Sequence, residues 1–313
     1  MSAPQEPSGK HVAIFLATLD GERFLSDQLQ SYALQTHDDW SLHVSDDGSS
    51  DATRGIVEKF STEQSRSVTF RDGPRQGFCR NFMSLVQDQR IEADYFAFSD
   101  QDDIWYADKL ERALSYFQSV PRTTPAMYCS RTELVDESRR HAGFSPLFVK
   151  PPAFQNALVQ NIGGGNTMVF NAAAKFLLEA TGDTTVVSHD WWTYQIVSAA
   201  GGTVFYDPRP SIEYRQHSDN ILGSNRGFRA RAFRMRLMFA GRVKAWNDTN
   251  LRALQTLRSH LTAGSLETLD KFIAARDANW LPARIFYLVR SRVYRQSVLA
   301  DLGLMVAAAL RKL

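Results

Sequence analysis

Residues 95–103 read Tyr95-Phe96-Ala97-Phe98-Ser99-Asp100-Gln101-Asp102-Asp103. A short apolar run that ends in a polar cluster reads as a buried strand with carboxylates at its end. Three more such runs lie upstream, at 11–17, 40–44 and 67–70. Helical patterns separate them. Phe24, Leu25, Leu29, Tyr32 and Leu34 approximate one stripe, and Ile56, Val57 and Phe60 mark a second, with Ser50 or Asp51 as its cap. Gly77 to Val86 reads as a third. Strands alternating with helices predict an α/β protein with a parallel sheet and crossovers. Ligands of such sheets bind outside the carboxyl ends of the strands. The second strand also ends in acid, at Ser45-Asp46-Asp47-Gly48-Ser49-Ser50-Asp51, so both acidic clusters fall on the binding edge.

Further along, the pattern loosens. Ala126 to Cys129 and Thr167 to Phe170 read as strands, and the loop Asn161-Ile162-Gly163-Gly164-Gly165-Asn166 precedes the second. Asp190 to Ser198 reads as a helix and Thr203 to Tyr206 as a late strand. Past Arg226 the sequence is helical and Arg-rich, with no strand signal. The expected organisation is a disordered leader over 1–10, a body over 11–225 and a helical basic region over 226–313. The net charge of +2 hides this division: residues 1–225 carry 19 Lys/Arg against 29 Asp/Glu, and residues 226–313 carry 17 against 5.

Composition narrows the function classes. With 43% hydrophobic and 22% charged residues, the 313-residue chain is neither fibrous nor fully disordered. Two cysteines, Cys79 and Cys129, exclude a disulfide scaffold and a cysteine-rich metal site. No signal peptide is evident, and the best candidate for a span, Leu302 to Leu310, is nine residues long. A cytoplasmic protein is expected.

Each motif has a chemical reading and a plain one. Asp100-Gln101-Asp102-Asp103 suits a hard divalent cation that fills its shell with phosphate oxygens, or it is a solvated turn capping the next helix. Asp46-Asp47 could accept the N–H of a pyrimidine ring, or form an Asx-turn. Asp190, in Ser188-His189-Asp190-Trp191-Trp192, could be a general base toward a sugar hydroxyl, with Trp191 or Trp192 stacked on the sugar; the alternative is a cap with two core tryptophans. His217, in Tyr214-Arg215-Gln216-His217, could be a further metal ligand or a hydrogen-bonded surface histidine.

The order and spacing of these motifs say more than any one of them. Thr18-Leu19-Asp20-Gly21-Glu22, the run 45–51, Arg80-Asn81, Asp100–Asp103, His189–Trp192 and Tyr214–His217 follow one another in the chain. Together they resemble the family-two glycosyltransferases, inverting enzymes of the GT-A fold, over about residues 11–220. DQDD followed by Ile104-Trp105, with the later YRQH, looks most like the bacterial rhamnosyltransferase branch, which builds lipopolysaccharide, O-antigen or capsule from dTDP-L-rhamnose. The resemblance implies a Rossmann-like, mixed and mainly parallel sheet flanked by helices. It implies that Thr18, Asp46 or Asp47, Arg80 and Asp100 bind the nucleotide sugar. Asp102 and His217 would hold Mg2+ or Mn2+. Asp190 would be the base, and Gly164, Gly165, Asn166, Trp191 and Trp192 would serve the acceptor, a saccharide or lipid-linked saccharide. Two positions depart from the pattern: Leu19-Asp20 stands where many relatives have Tyr-Asn, and His189-Asp190 where Glu-Asp is usual.

The basic region has two readings. Between Arg226 and Arg258 nine Lys/Arg and one acid are interleaved with Phe228, Phe233, Leu237, Met238 and Phe239. Such a helix could lie on an anionic leaflet, making the protein peripheral on the cytoplasmic membrane face, or pack on the body with its arginines paired to the acidic half. A homodimer contact is a third use. Nucleic acid is not expected, because no recognition motif accompanies the charge. Competing functions are a UDP-hexose transferase of the same fold, a nucleotidyl transferase, and a non-catalytic scaffold that binds nucleotide sugars.

Overall fold

The computed structural model describes residues 9–217 and 242–313. The chain begins with β1 (Val12–Thr18), α1 (Leu25–Ala33), β2 (Trp40–Asp46), α2 (Thr53–Glu63), β3 (Val68–Asp72), α3 (Phe78–Val86) and β4 (Tyr95–Ser99), the alternation read from the sequence. Then come β5 (Ile104–Trp105), α4 (Lys109–Phe117), β6 (Ala126–Val135), β7 (His141–Phe144), α5 (Phe154–Ala157), β8 (Val169–Asn171), α6 (Ala172–Glu179), α7 (His189–Ala199) and β9 (Thr203–Arg215). The described chain closes with α8 (Arg242–Thr256), α9 (Ala263–Asp277), α10 (Leu281–Ser291) and α11 (Val298–Ala309).

All nine strands join one sheet in the order β3-β2-β1-β4-β8-β6-β9-β5, with β7 on β6. β3, β2, β1 and β4 are parallel. β8 runs against both β4 and β6, and β9 returns parallel to β6. The sheet is therefore mixed and mainly parallel. β1 and β4, near its centre, are apolar up to their last residues because both faces are covered. Val12, Ile14 and Leu16 face a cluster with Leu25, Leu29, Val57 and Leu110, from α1, α2 and α4. Ala13 and Phe15 face the other way, toward Phe82, Leu178 and Trp192 from α3, α6 and α7.

The C-terminal helices share this second core. Leu251, Leu254, Phe272, Leu288 and Leu304 cluster with Phe96 and Trp192. Apolar contact joins them to the body, and two of the tail's arginines pair within the tail itself. Arg258 pairs with Asp270 at 2.7 Å and Arg276 with Asp248 at 2.5 Å, both within the tail. Across the junction, the body supplies the cation: Lys150 meets Asp301 at 2.7 Å. Residues 1–8, the 225/226 boundary and the aromatic stretch from Phe228 to Phe239 lie outside the described residues. Among those described, no helix is long and apolar enough to cross a membrane.

β6 and β9 both run further than the apolar runs at 126–129 and 203–206. β9 continues past Asp207-Pro208-Arg209-Pro210, where a register shift against β6 between Ser130 and Arg131 takes up the irregularity. Prolines in a strand belong at such bulges. The cap of α2 is Ala52, not Ser50 or Asp51, although Asp51 Oδ1 still accepts from the Thr53 N–H at 2.9 Å.

Candidate active site

The site gathers at the carboxyl ends of β1, β2 and β4. β1 and β2 pair in register up to Thr18 opposite Asp46, so their first loop residues emerge side by side. Thr18 Oγ1 donates to Asp46 Oδ1 at 2.8 Å. Ser49 Oγ donates to the same oxygen at 2.5 Å, and the Gly48 and Ser49 N–H groups donate to Oδ2 at 3.2 and 2.8 Å. Burial would raise the Asp46 pKa, but these four donors hold it below the usual carboxylate value. Gly48 has φ of 109°, which lets the chain fold back over Asp46. Asp47 accepts from the N–H groups of Arg75 and Gly77, at 2.6 and 2.7 Å, and thereby ties the loop before α3 to the β2 end. Both carboxylates organise turns, the Asx-turn reading of the motif. Arg80 points away from them and donates to the Asp183 carbonyl at 2.8 Å and to Thr185 Oγ1 at 3.2 Å.

The loop after β1 is fastened on two sides. The Gln101 amide pairs with the Leu19 backbone: Leu19 N–H donates to Oε1, and Nε2 donates to the Leu19 carbonyl, both at 2.9 Å. Asp20 sits at φ of 47°, a region that Asp and Asn tolerate better than most residues. Its Oδ1 accepts from Ser50 N–H at 2.8 Å. Asp20 therefore keeps the backbone shape that an Asn would give.

Asp102 and His217 meet. His217 Nε2 lies 2.7 Å from Asp102 Oδ2 although 115 residues separate them. The return of β9 makes this contact, and Arg215 secures it: Nε donates to the Asp102 carbonyl at 3.1 Å and Nη2 to Asp27 at 2.8 Å. Asp100 shares the pocket. Its carboxyl is pushed up to about 7, first by burial and then by the negative charges of Asp102 and Asp190, with Lys109 pulling the other way. Three carboxylates from β4's end and α7's start thus share one electrostatic site.

Asp103, Asn166 and Lys109 form a buried layer beneath. Asn166 Nδ2 donates to Asp103 Oδ2 at 2.6 Å, and Lys109 Nζ donates to the Asn166 carbonyl at 2.6 Å. Lys109 also lies 3.3 Å over the Trp105 ring. Asp103 is pushed up by burial and by the charges of Asp102 and Asp100, while burial pushes Lys109 down.

Asp190 opens α7. Its Oδ1 accepts from the Trp191 N–H at 2.7 Å and its Oδ2 from Asn161 Nδ2 at 2.9 Å. His189 turns inward, 4% exposed, stacked on Phe82 at 3.9 Å and edge-on to Phe98 at 4.7 Å. Neither ring nitrogen has a hydrogen-bond partner. Gly165 lies against the ring: a Cβ there would come within 2.2 Å of His189 Nε2.

The acceptor residues need correction. Trp192 is fully buried, with Nε1 donating to Thr181 Oγ1 at 2.8 Å, so its ring has no free face for a sugar. Trp191 is half-buried, its Nε1 donating to the Ala157 carbonyl at 2.7 Å. Gly165 and Asn166 are buried in the floor of the site, and Gly164 is exposed. Glycine and asparagine in a loop signal a turn from sequence, but not which way it faces.

Comparison with known proteins decides the family. Residues 13–178 match the family model for glycosyl transferase family 2. The chain is 30% identical over 241 residues to the dTDP-rhamnosyl transferase RfbG of Shigella flexneri, covering 71% of this chain and 78% of that protein. The chain belongs to glycosyl transferase family 2. A shorter match, 35% over 104 residues, covers 33% of this chain and 40% of the Escherichia coli UDP-Glc:alpha-D-GlcNAc-diphosphoundecaprenol beta-1,3-glucosyltransferase WfgD. Among solved structures, S. aureus TarS in complex with UDP-GlcNAc aligns over 96% of this chain and 89% of that chain, with a TM-score of 0.54 at 14% identity. A mannosyltransferase from Pyrobaculum calidifontis, in complex with GDP-Man and Mn2+, covers 96% and 86% with a TM-score of 0.53 at 15% identity. These likenesses give the fold, GT-A.

Within the family setting, the structure accounts for His189. The slot between Phe82, Phe98 and Gly165 is apolar, and burial lowers the imidazole pKa to about 4, so the ring is neutral. An ionised glutamate would be costly in such a slot. Sequence reasoning missed Gln101, Lys109, Arg215 and the role of Asn161. Arg215 stood inside the YRQH motif, and its 3% exposure was the missing information. Lys109 carries no sequence signal that separates it from a surface lysine.

Proposed function

We propose that this chain is an inverting transferase that moves L-rhamnose from dTDP-L-rhamnose to a hydroxyl of a saccharide or lipid-linked saccharide, in the synthesis of a bacterial surface polysaccharide or lipopolysaccharide. The observation that carries the reading is the convergence of Asp100, Asp102 and Asp190 on one electrostatic site, with His217 against Asp102. The 30% identity to a dTDP-rhamnosyl transferase over most of both chains supports the donor. The partial match to a UDP-Glc transferase favours a UDP-hexose as the second donor.

The donor set fits a divalent cation, Mg2+ or Mn2+. A carboxylate oxygen of Asp102 and an imidazole nitrogen of His217 already converge. Among the described residues no group of three His, Cys, Asp or Glu side chains is arranged to hold an ion. Two protein ligands suit a cation that takes its remaining oxygens from diphosphate and water. When bound, such an ion supplies Lewis-acid stabilisation of the departing diphosphate.

The chain's own groups do the rest. The acceptor oxygen attacks the anomeric carbon opposite the diphosphate. The new C–O bond forms as the bond to the diphosphate oxygen breaks, and its electron pair leaves with dTDP. The acceptor proton passes to Asp190, whose carboxylate Asn161 and the Trp191 N–H hold in place. Thr18, Asp46 and Asp47 shape the nucleotide end through the loops they fasten, and Arg80 lies at its margin. Trp191 and Gly164 remain the acceptor-side candidates.

The test is donor hydrolysis without acceptor, over dTDP-rhamnose, UDP-glucose, UDP-galactose, UDP-N-acetylglucosamine and GDP-mannose, with and without Mg2+ or Mn2+. Metal-dependent release of dTDP alone is expected. Release of UDP alone would overturn the rhamnose assignment, and release that ignores metal would overturn the cation.

A further inference from the structure

Of the 18 large apolar side chains exposed among the described residues, 11 lie between Trp280 and Leu310. They sit on α10, α11 and their approaches. Trp280 is 71% exposed, Phe286 59%, Val298 74% and Leu299 67%. Scattered single apolar residues are normal on a surface, but a concentration of this kind on two adjacent helices marks an interaction site. The same segment is basic, although Glu267 of α9 lies within electrostatic reach of Arg290 and Arg292. Residues 280–313 carry six Lys/Arg and one acid, Asp301, which Lys150 already neutralises at 2.7 Å. Arg290, Arg292 and Arg311 are exposed, whereas Arg284 is buried and donates to the Ala308 and Ala309 carbonyls at 2.8 and 2.9 Å, which fixes α10 against the end of α11.

We infer that the α10–α11 face docks on the surface of an anionic lipid bilayer. Exposed apolar side chains on a segment with exposed Arg290, Arg292 and Arg311 suit a leaflet that offers acyl chains beneath a negative headgroup layer. A second copy of the chain would bring two positive faces together. Neither helix crosses: α11 has 12 residues, about 18 Å of helix against about 30 Å of hydrocarbon. These residues follow, in the chain, the 226–258 stretch that the sequence singles out.

The face is wired to the acceptor side of the site. The Tyr294 carbonyl accepts from Asn156 Nδ2 at 3.0 Å, and the Gln296 N–H donates to Gln160 Oε1 at 2.8 Å. The next residue, Asn161, holds Asp190. Docking through α10 and α11 would set the candidate base at a fixed relation to the membrane, where a lipid-linked acceptor lies. That last step rests on the transferase reading; the docking itself does not.

Flotation of the full chain with vesicles tests it. The vesicles are phosphatidylcholine alone, or phosphatidylcholine and phosphatidylglycerol in equal parts. Binding to the anionic vesicles is expected at low salt, and weaker binding to the neutral ones and at high salt. Val298→Asp with Leu299→Asp should weaken anionic binding at least about tenfold, since both side chains lose a buried position in the leaflet. The urea midpoint and vesicle-free donor hydrolysis should not change in that variant. Three results would overturn the inference: no flotation with anionic vesicles at low salt, a double variant that floats like the wild type, or a wild-type dimer that the variant turns into a monomer while vesicles bind neither. Donor hydrolysis read without vesicles keeps a failed transferase reading separate from a failed docking surface.

Discussion

Gly165→Ala should disturb both stability and catalysis, through one contact. An ideal Cβ at residue 165 would stand 2.2 Å from His189 Nε2, 3.1 Å from Cε1 and 3.2 Å from Cδ2. Carbon contacts are comfortable from about 3.5 Å, so more than about 1 Å of movement is needed. The imidazole cannot simply swing away, because Phe82 stacks on it at 3.9 Å and Phe98 meets it at 4.7 Å. Overpacking of this kind costs about 1–3 kcal/mol. The part able to yield is the first turn of α7, which carries Asp190 directly after His189. A base displaced by about 1 Å loses about a hundredfold in rate. Urea unfolding should show a lower midpoint at an unchanged slope, and sugar transfer should fall while dTDP binding persists. Adding His189→Ala removes the ring and should relieve the clash, with a coupling of at least about 1 kcal/mol in the double-mutant cycle. A wild-type midpoint and rate in Gly165→Ala, or strictly additive effects, would refute the contact.

Three further outcomes follow from the same geometry. His189→Phe should match or exceed wild-type stability by about 1–2 kcal/mol at neutral pH, because two unpartnered buried nitrogens are removed. It should also flatten the acid side of the stability profile. Burial lowers the His189 pKa from 6.5 to about 4, so its contribution is fully present above the unfolded value and is lost as pH falls toward the folded one, by about 3 kcal/mol in all. An acid limb between those values that is identical in wild type and His189→Phe by urea titration would contradict this. Asp190→Asn should lower transfer by about 10²–10⁴-fold with dTDP affinity retained, and normal turnover would remove Asp190 as base. Asn161→Ala should reduce kcat by about tenfold or more with little change in donor KM, since it frees one carboxylate oxygen of Asp190 from its 2.9 Å donor; a rise in KM alone would assign Asn161 to donor binding.

Much of the fold was legible because both faces of the central sheet are buried. Strands such as Val12–Thr18 and Tyr95–Ser99 are then continuous apolar runs that end sharply at polar residues. The short strands escaped. Ile104–Trp105 is defined by its partner β9, far away in the chain, and His141–Phe144 by the hairpin it makes with the end of β6, where the sequence is polar and carries no strand pattern. The convergence of Asp102 with His217 was expected only from the resemblance, since 115 residues and the full length of β9 intervene. Burial was the least legible property. Trp191 and Trp192 are neighbours in sequence, yet one is half-buried and the other fills the core, a difference that the run His189-Asp190-Trp191-Trp192 does not carry. The tail's charge also drew attention away from its apolar residues: Leu251, Phe272, Leu288 and Leu304 pack it into the second core.

In the proposed mechanism Asp102 and His217 make a cation-assisted diphosphate site just past the end of β4. Calorimetric titration of dTDP into the full chain, with and without Mn2+, tests it most directly, alongside Asp102→Asn. Mn2+ should tighten dTDP at least about tenfold in the wild type and have no effect in the variant, because two protein ligands leave the remaining positions to the diphosphate. Equal affinity with and without the metal in the wild type, or metal-dependent tightening that survives in Asp102→Asn, would contradict it.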